Sequence, residues 1–309
     1  MVCSGHQSVM VAEVTSALAL VQGGTYIDGT VGNGGHALAI MRGAGNRGRL
    51  LGIDRDGEAL GRARRVLAPW GRQCTLVQGN FAEMKGIAAE HGIQAADGVL
   101  LDLGVSWEQL STPARGFSFL ADGPLDMRMD ASAGQTAGDV VNEWAERDLA
   151  ELFERLGEER AARRIARAIV AARARARLER TTELADLVAR LKRRRGRTHP
   201  ATKVFQALRI CVNDELTALR KGLSAGLELL RGGGRLAVLS FHSLEDREVK
   251  HFFRAHVGHW ESLPEGGRRH VVKEPAAAAV LRGARKPSQT EVTANPRARS
   301  ARLRAVARL

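Results

Sequence analysis

Apolar residues follow two rhythms along this chain. Thr25-Tyr-Ile-Asp28, Arg49-Leu-Leu-Gly-Ile-Asp54, Cys74-Thr-Leu-Val-Gln78 and Asp97-Gly-Val-Leu-Leu-Asp102 are short, nearly continuous apolar runs. Strands buried on both faces of a parallel sheet look like this. Before and between them, residues 9–20, 37–42, 57–68 and 82–90 read as helices. Strand and helix alternate, which predicts an α/β fold with a doubly wound, mostly parallel sheet.

From Gly104 to Asp130 the periodicity stops, and a loop of that length inside a compact domain is usually functional. Residues 136–231 then read as helices without a strand, Trp144, Leu149, Leu152, Phe153 and Leu156 recurring at helical spacing. After the Gly232-Gly233-Gly234 break the buried-strand pattern returns at Gly234–Phe241, followed by a helix over 248–256. Residues 258–287, with Pro264, Pro275 and Pro287, are expected to be irregular, and last strands are expected within 290–308 around Asn295-Pro-Arg-Ala-Arg. The expected organisation is a sheet domain, 1–111 and 232–309, with an inserted helical domain, 112–231. No internal repeat is present.

The densest chemical signal is Asp28-Gly-Thr-Val-Gly-Asn-Gly-Gly-His36, where the first strand breaks into a glycine-rich turn and opens a helix. Glycines there let backbone approach a ligand closely. Gly32-x-Gly34-x-x-Ala37 also satisfies the dinucleotide fingerprint, so the turn alone leaves two cofactors open. Asp28 at the strand tip favours a cofactor carrying cations, such as the ammonium and sulfonium of S-adenosylmethionine, over the pyrophosphate of NAD. Asp54 lies about twenty residues beyond the turn, where an acid reaches a ribose hydroxyl. Phe81 after the third strand suits an adenine ring or the core equally. Asp28, Asp54 and Asp102 are expected to converge beyond the carboxyl ends of the strands, where such sheets take their ligands.

Composition adds a partner. Among 309 residues, 47 Lys+Arg against 34 Asp+Glu give a net charge of +13, which favours a polyanion such as nucleic acid. The 4% aromatic content argues against recognition mainly by base stacking. The inserted helices are rich in arginine: Arg160, Arg163, Arg164, Arg167, Arg173, Arg175, Arg177 and Arg180, then Lys192-Arg-Arg-Arg195 and Arg197. These are solvated helix faces or phosphate contacts. Cys3, Cys74 and Cys211 are scattered and lack metal spacing, so neither a disulfide framework nor a metal site is expected. No signal-peptide pattern and no run of about 18 apolar residues occur, so a cytoplasmic protein with no membrane partner is expected.

With these motifs in view, the chain resembles the RsmH (MraW) family of S-adenosylmethionine-dependent methyltransferases, which act on the N4 amine of a cytidine in 16S ribosomal RNA. The resemblance spans nearly the whole chain: His6-x-Ser-Val-Met, DGTVGNGGH at 28–36, GIDRD at 52–56, DLGVS at 102–106, RGFSF at 115–119 and GPLDMRMD at 123–130. It continues through GEERAARRIARAIV at 157–170, HPATKVFQALRICVNDEL at 199–216, SFHSLEDR at 240–247 and NPRARSARLR at 295–304.

It implies a class I Rossmann-like fold, with cofactor contacts at Gly34, Gly35, His36, Asp54, Phe81, Asp102 and Gln109, of which spacing alone gives no reason to choose Gln109. Asp102, His242 and Asp246 are the catalytic candidates, although the Ser243 region with Glu245 and Asp246 equally suits a helix cap. Arg193, Arg194, Arg195, His199, Asn213 and Ser240 are the substrate-side candidates. The implied partner is 16S rRNA in the small ribosomal subunit, and a homodimer stays open. One departure falls after DLGV, where the family usually has Ser-Ser-Pro-Gln-Leu-Asp and this chain has Ser106-Trp-Glu-Gln-Leu-Ser111, which puts that loop's conformation in question.

Overall fold

The computed structural model describes residues 8–132, 134–192, 199–263, 265–271 and 275–309. In chain order the first elements are α1 (Val11–Leu18), β1 (Thr25–Asp28), α2 (Gly35–Ala44), β2 (Arg49–Asp54), α3 (Gly57–Leu67), β3 (Cys74–Gln78), α4 (Met84–Glu90) and β4 (Ala96–Asp102). Helices follow: α5 (Trp107–Ser111), α6 (Ala137–Glu143), α7 (Glu146–Arg155), α8 (Ala162–Arg173), α9 (Thr181–Leu191), α10 (Thr202–Val212) and α11 (Glu215–Leu229). The chain closes with β5 (Leu230–Ser240), α12 (Ser243–Val257), β6 (His259–Ser262), β7 (Arg268–Val271), β8 (Ala277–Ala279), α13 (Gln289–Ala294) and β9 (Arg302–Arg308).

Contacts divide the chain into one unit of Met1–Gly104 with Leu216–Leu309, and a second of Val105–Glu215. The first holds a seven-stranded sheet in the order β3-β2-β1-β4-β5-β9-β8. β3, β2, β1, β4 and β5 pair in parallel, and β9 runs antiparallel between β5 and β8. Alternate residues of each strand feed opposite faces, as the pleat requires. Tyr26, Leu50, Leu100 and Leu239 pack with Leu18, Ile40, Met41 and Leu60 on one side. Ile27, Leu51, Ile53, Leu101 and Val238 pack with Met84, Leu219, Leu223 and Val249 on the other. Both faces are therefore covered, which explains why these strands read as unbroken apolar runs.

Among the described residues the regular elements of the second unit are helices, packed around Phe153, Ile165, Ile169, Leu184, Val204 and Leu208. Among the described residues no helix is long and apolar enough to cross a membrane.

Four expectations are corrected. The inserted unit starts at Val105 rather than 112 and ends at Glu215 rather than 231, because α11 buries Leu219, Leu223 and Leu227 in the sheet's core. The triple glycine is not a break before a strand: β5 runs through it, with a register shift against β4 between Ala96 and Gly98. The expected strand at Asn295 is a tight turn, Pro296–Ser300, because Asn295 takes the Arg297 amide (3.3 Å) and Pro296 has no amide to give a ladder; the strand follows at β9. The stretch 258–287 is not wholly irregular, since β6, β7 and β8 lie in it.

Candidate active site at the carboxyl edge of the sheet

Because β1, β2 and β4 are parallel neighbours, their last residues share one edge, and Asp28 pairs in register with Gly52 of β2 and Leu100 of β4. Asp54 and Asp102 end the other two strands. The turn after β1 is braced by these tips. Asp54 accepts the Gly32 amide (2.8 Å) through Oδ2 and the Asp56 amide (2.9 Å) through Oδ1. Asp56 in turn caps α3, accepting the amides of Glu58 (3.0 Å) and Ala59 (3.3 Å). The Thr30 amide donates to Asp28 (3.1 Å), and its hydroxyl oxygen accepts the Asp102 amide (2.6 Å), which ties the tips of β1 and β4 together. Gly34 takes φ 88° before α2, and a side chain there would press within 3.3 Å of the Ala63 Cα, so the turn needs glycine both for its backbone and for space.

The centre of this edge is short of partners. His36 is buried, and its Nε2 lies 3.3 Å from Asp102 Oδ2, close enough for an ion pair yet misaligned for a hydrogen bond. Asp28 Oδ2, Asp102 Oδ1 and His36 Nδ1 are buried without a hydrogen-bond partner among the described residues. A buried polar atom left in that state costs about 1–3 kcal/mol. Two carboxylates with open lone pairs suit a ligand that brings cationic N–H donors.

The electrostatics agree. Burial pushes the Asp28 carboxyl up to about 7, with the charges of Asp102 and Asp54 adding to the rise, while His36 and the Thr30 amide pull the other way. Burial also raises Asp54. For His36 burial works against protonation, but the charges of Asp102 and Asp28 beside it outweigh that, and its pKa rises.

A pH dependence follows. Asp28 ionises near 3.8 in the unfolded chain and near 7 in the fold, so across that window the folded state holds a proton that the unfolded state has lost. Stability therefore falls as pH rises from about 4 to 7. His36, raised above 6.5, acts in the same direction, its contribution being present below that value and lost as pH climbs through the raised one. Asp28→Asn is expected to flatten the decline in melting temperature across pH 4–7; an unchanged slope would contradict the assignment.

The other sequence-chosen residues fall in several places. Phe81 is half-buried at the end of the β3 loop, and its ring edge sits where a side chain on Gly222 of α11 would meet it at 2.7 Å, so it is at least partly core. Gln109 is buried in the second unit. It forms a capping box with Ser106, accepting the Ser106 amide (3.0 Å) while the Ser106 hydroxyl accepts its own amide (3.1 Å), so the Trp107-Glu108 departure opens a well-capped helix.

His242 is the N-cap of α12, taking the Glu245 amide (3.4 Å) through Nδ1, and its Nε2 lies 3.1 Å from Glu245 Oε1. The cap is thus His242, with Ser243 already inside the helix. Asp246 is gripped by Arg304 (2.8 and 3.1 Å) and Arg302 (3.2 Å). Burial opposes ionisation of Asp246, but the Arg304 hydrogen bonds and both arginine charges prevail and hold it below the usual carboxylate range. Ser240 is buried, its hydroxyl turned to the Arg302 carbonyl (3.4 Å).

In the second unit, Asn213 accepts the Met129 amide (2.7 Å) and donates to the carbonyls of Met127 (2.8 Å) and Arg209 (2.9 Å), which makes it a clip for the GPLDMRMD loop. His199 accepts the Ala201 amide (3.2 Å) and its ring packs 4.6 Å from that of Phe119. Arg193, Arg194 and Arg195 lie outside the described residues. The structure thus gathers Asp28, His36, Asp54 and Asp102. Sequence reasoning missed Thr30, whose place two residues beyond the β1 tip was the available signal, and it named Glu245 in the helix cap but gave the cap to Ser243 where His242 makes it.

A parallel sheet with one reversed strand next to its last, a glycine turn after β1 and acids closing β2 and β4 is the arrangement of class I methyltransferases. The model of the MraW methylase family matches residues 3–309, and the chain belongs to that family. A protein of Syntrophotalea carbinolica named ribosomal RNA small subunit methyltransferase H is 52% identical over 307 residues, covering 98% of each chain. Proteins of the same name from Syntrophobacter fumaroxidans and Thermomicrobium roseum are 49% and 47% identical, covering 97% and 98% of this chain and 95% and 94% of their own. S-adenosylmethionine is the family's methyl donor, and the open carboxylate atoms at the sheet edge suit its cationic groups.

Proposed function

We propose that this chain transfers a methyl group from S-adenosylmethionine to the N4 exocyclic amine of a cytidine in the decoding region of 16S rRNA, on the small ribosomal subunit in the cytoplasm. The observation that carries this reading is the set of unpartnered buried atoms on Asp28, Asp102 and His36, within a family whose curated relatives bear the name of a small-subunit rRNA methyltransferase. In it, Asp54 holds the ribose hydroxyls, Gly34 and Gly35 give backbone access, and Asp102 and Asp28 face the amino-acid end of the cofactor. When bound, the cofactor supplies a methyl group on a sulfonium, activated toward nucleophiles.

The amine of cytosine is a poor nucleophile, because its lone pair is delocalised into the ring. Holding it in line at about 3–3.5 Å does most of what a protein can do here. An acceptor that orients the N–H and takes a proton contributes about 10²–10⁴-fold. Asp246, ionised and held by two arginines, is a weak base and better suited to fixing Arg302 and Arg304. Asp102 and His242 remain the candidates for the polar contact. His242→Ala is expected to lower kcat by about 10²-fold on small subunits with cofactor affinity intact; an unchanged kcat removes His242 from the mechanism.

The substrate base must be unpaired or turned out of its stack, since RNA is read where bases are exposed. Several arginines of the inserted helices are already engaged within their unit. Arg173 donates to the Val141 carbonyl (2.7 Å), Arg180 pairs with Asp122 (2.6 Å), and Arg177 lies near Asp139 (3.9 Å) and Glu143 (3.7 Å). Arg160, Arg163 and Arg175 are exposed and have no such partner among the described residues, so they are the best placed there for phosphate contact. The reading is tested by mapping methylated positions in 16S rRNA by mass, with and without the protein. Label on a cytosine N4 is expected.

A further inference from the structure

We propose that the exposed basic face of α12, together with Arg302 at the start of β9, binds the sugar-phosphate backbone of RNA. The inference rests on the chain acting on RNA, and it places a contact on the sheet unit, outside the arginine-rich insertion. Arg247, Lys250, His251 and Arg254 stand at i, i+3, i+4 and i+7 along α12, and all four are exposed. That spacing puts them on one helical face roughly 10 Å long. The opposite face, with Leu244, Val249 and Phe253, is buried.

The three acids of this helix are each drawn elsewhere. Glu245 is buried and accepts the Phe241 amide (2.8 Å), Asp246 is clamped by Arg304 and Arg302, and Glu248 pairs with Arg220 of α11 (2.8 and 2.9 Å). Glu248 also feels the charges of His251 and Arg247, so one partly engaged carboxylate stands against the four basic residues of the exposed face. The surface is also concave: Ser243, Asp246, Arg247, Lys250, His251 and Arg302 line a hollow of about 300 Å³. Its single carboxylate is the arginine-bound Asp246, so an anion entering meets a surplus of donors. Lysine and arginine of this kind position nucleic acid through phosphate without reading its sequence.

The location adds to the chemistry. α12 follows β5, whose Leu239 pairs with Asp102, and Ser240 pairs with Arg302 at the first residue of β9. One end of the hollow, at Ser243 and Arg302, therefore lies at the same carboxyl edge as the candidate active site, by the strand next to the one that carries Asp102. A backbone held there by phosphate leaves a neighbouring nucleotide free to enter the site.

The test compares the wild-type chain with the double variant Arg247→Gln/Lys250→Gln on deproteinised 16S rRNA and on small subunits. Two lost phosphate contacts are expected to make the slope of log affinity against log salt shallower by about 1.4–1.8. The KM for RNA is expected to rise roughly tenfold, with kcat, S-adenosylmethionine affinity and melting temperature unchanged. Arg64→Gln/Arg65→Gln on α3, the same charge change elsewhere on the unit, is expected to leave the slope alone. An unaltered slope and KM in the first variant, an equal loss in the second, or weakened binding to subunits but not to bare rRNA, which would indicate a protein partner, each overturns the proposal. A wild-type chain that binds RNA but methylates none would count against the proposed function, while the salt slopes would still decide the surface.

Discussion

Asp54→Ala is expected to weaken S-adenosylmethionine binding by about 10- to 100-fold, because hydrogen bonds to a charged acceptor are worth about 1.5–3 kcal/mol each. Two effects add. The carboxylate sits at the tip of β2 with lone pairs beyond those that it gives to the Gly32 and Asp56 amides, and these are what a ribose diol needs. Its removal also releases the Gly32 amide, so the glycine turn loses the brace that sets its distance from β2. Asp54→Asn keeps an acceptor for Gly32 but loses the charge, and it should fall between alanine and wild type. Calorimetric titration with S-adenosylmethionine checks both; wild-type affinity in the alanine variant would remove Asp54 from the cofactor site.

The second large effect lies in the inserted unit and concerns two motifs that carry no helical or strand periodicity. RGFSF and GPLDMRMD cross each other closely. Gly116 has φ 72°, and a Cβ there would fall on the Pro124 carbonyl oxygen and 2.7 Å from the Asp126 amide nitrogen. A Cβ on Gly123 would fall on the Pro113 carbonyl. Backbone cannot move aside as a flexible side chain can, and the crossing is pinned from both sides. Arg115 donates to the carbonyls of Arg128 (3.1 Å) and Met129 (2.8 Å), and Asn213 holds Met127 and Met129. Gly116→Ala or Gly123→Ala is therefore expected to destabilise the unit Val105–Glu215 by about 3 kcal/mol or more, in the range of severe core lesions. Limited proteolysis should then cut within 105–215 first. A variant as resistant as wild type would show that the crossing relaxes at little cost.

Much of the sheet is legible in the amino-acid sequence, because a strand buried on both faces has no choice but to be apolar throughout. That pattern alone places Asp28, Asp54 and Asp102 on one edge, since parallel strands end together. What stays hidden depends on partners. α11 is apolar on one face whether it packs on the sheet or on the inserted helices, so its periodicity cannot assign it to a unit. Thr30 looks like any turn threonine until β1 and β4 are neighbours. Asp246 reads as a candidate base until Arg302 and Arg304, over fifty residues later in the chain, are brought against it by the antiparallel pairing of β5 with β9. The basic spacing along α12 is present in the sequence, yet its significance rests on where the helix's three acids turn.

One reaction is central to all of this, and the most direct measurement is of its product. Purified protein is incubated with isotopically labelled S-adenosylmethionine and either bare 16S rRNA or small subunits from cells lacking the protein, and the labelled nucleotide is identified by mass. Label on the N4 amine of one cytidine in the decoding region is the expected result. Label on a ribose hydroxyl or a ring carbon, or none on either substrate, would contradict it.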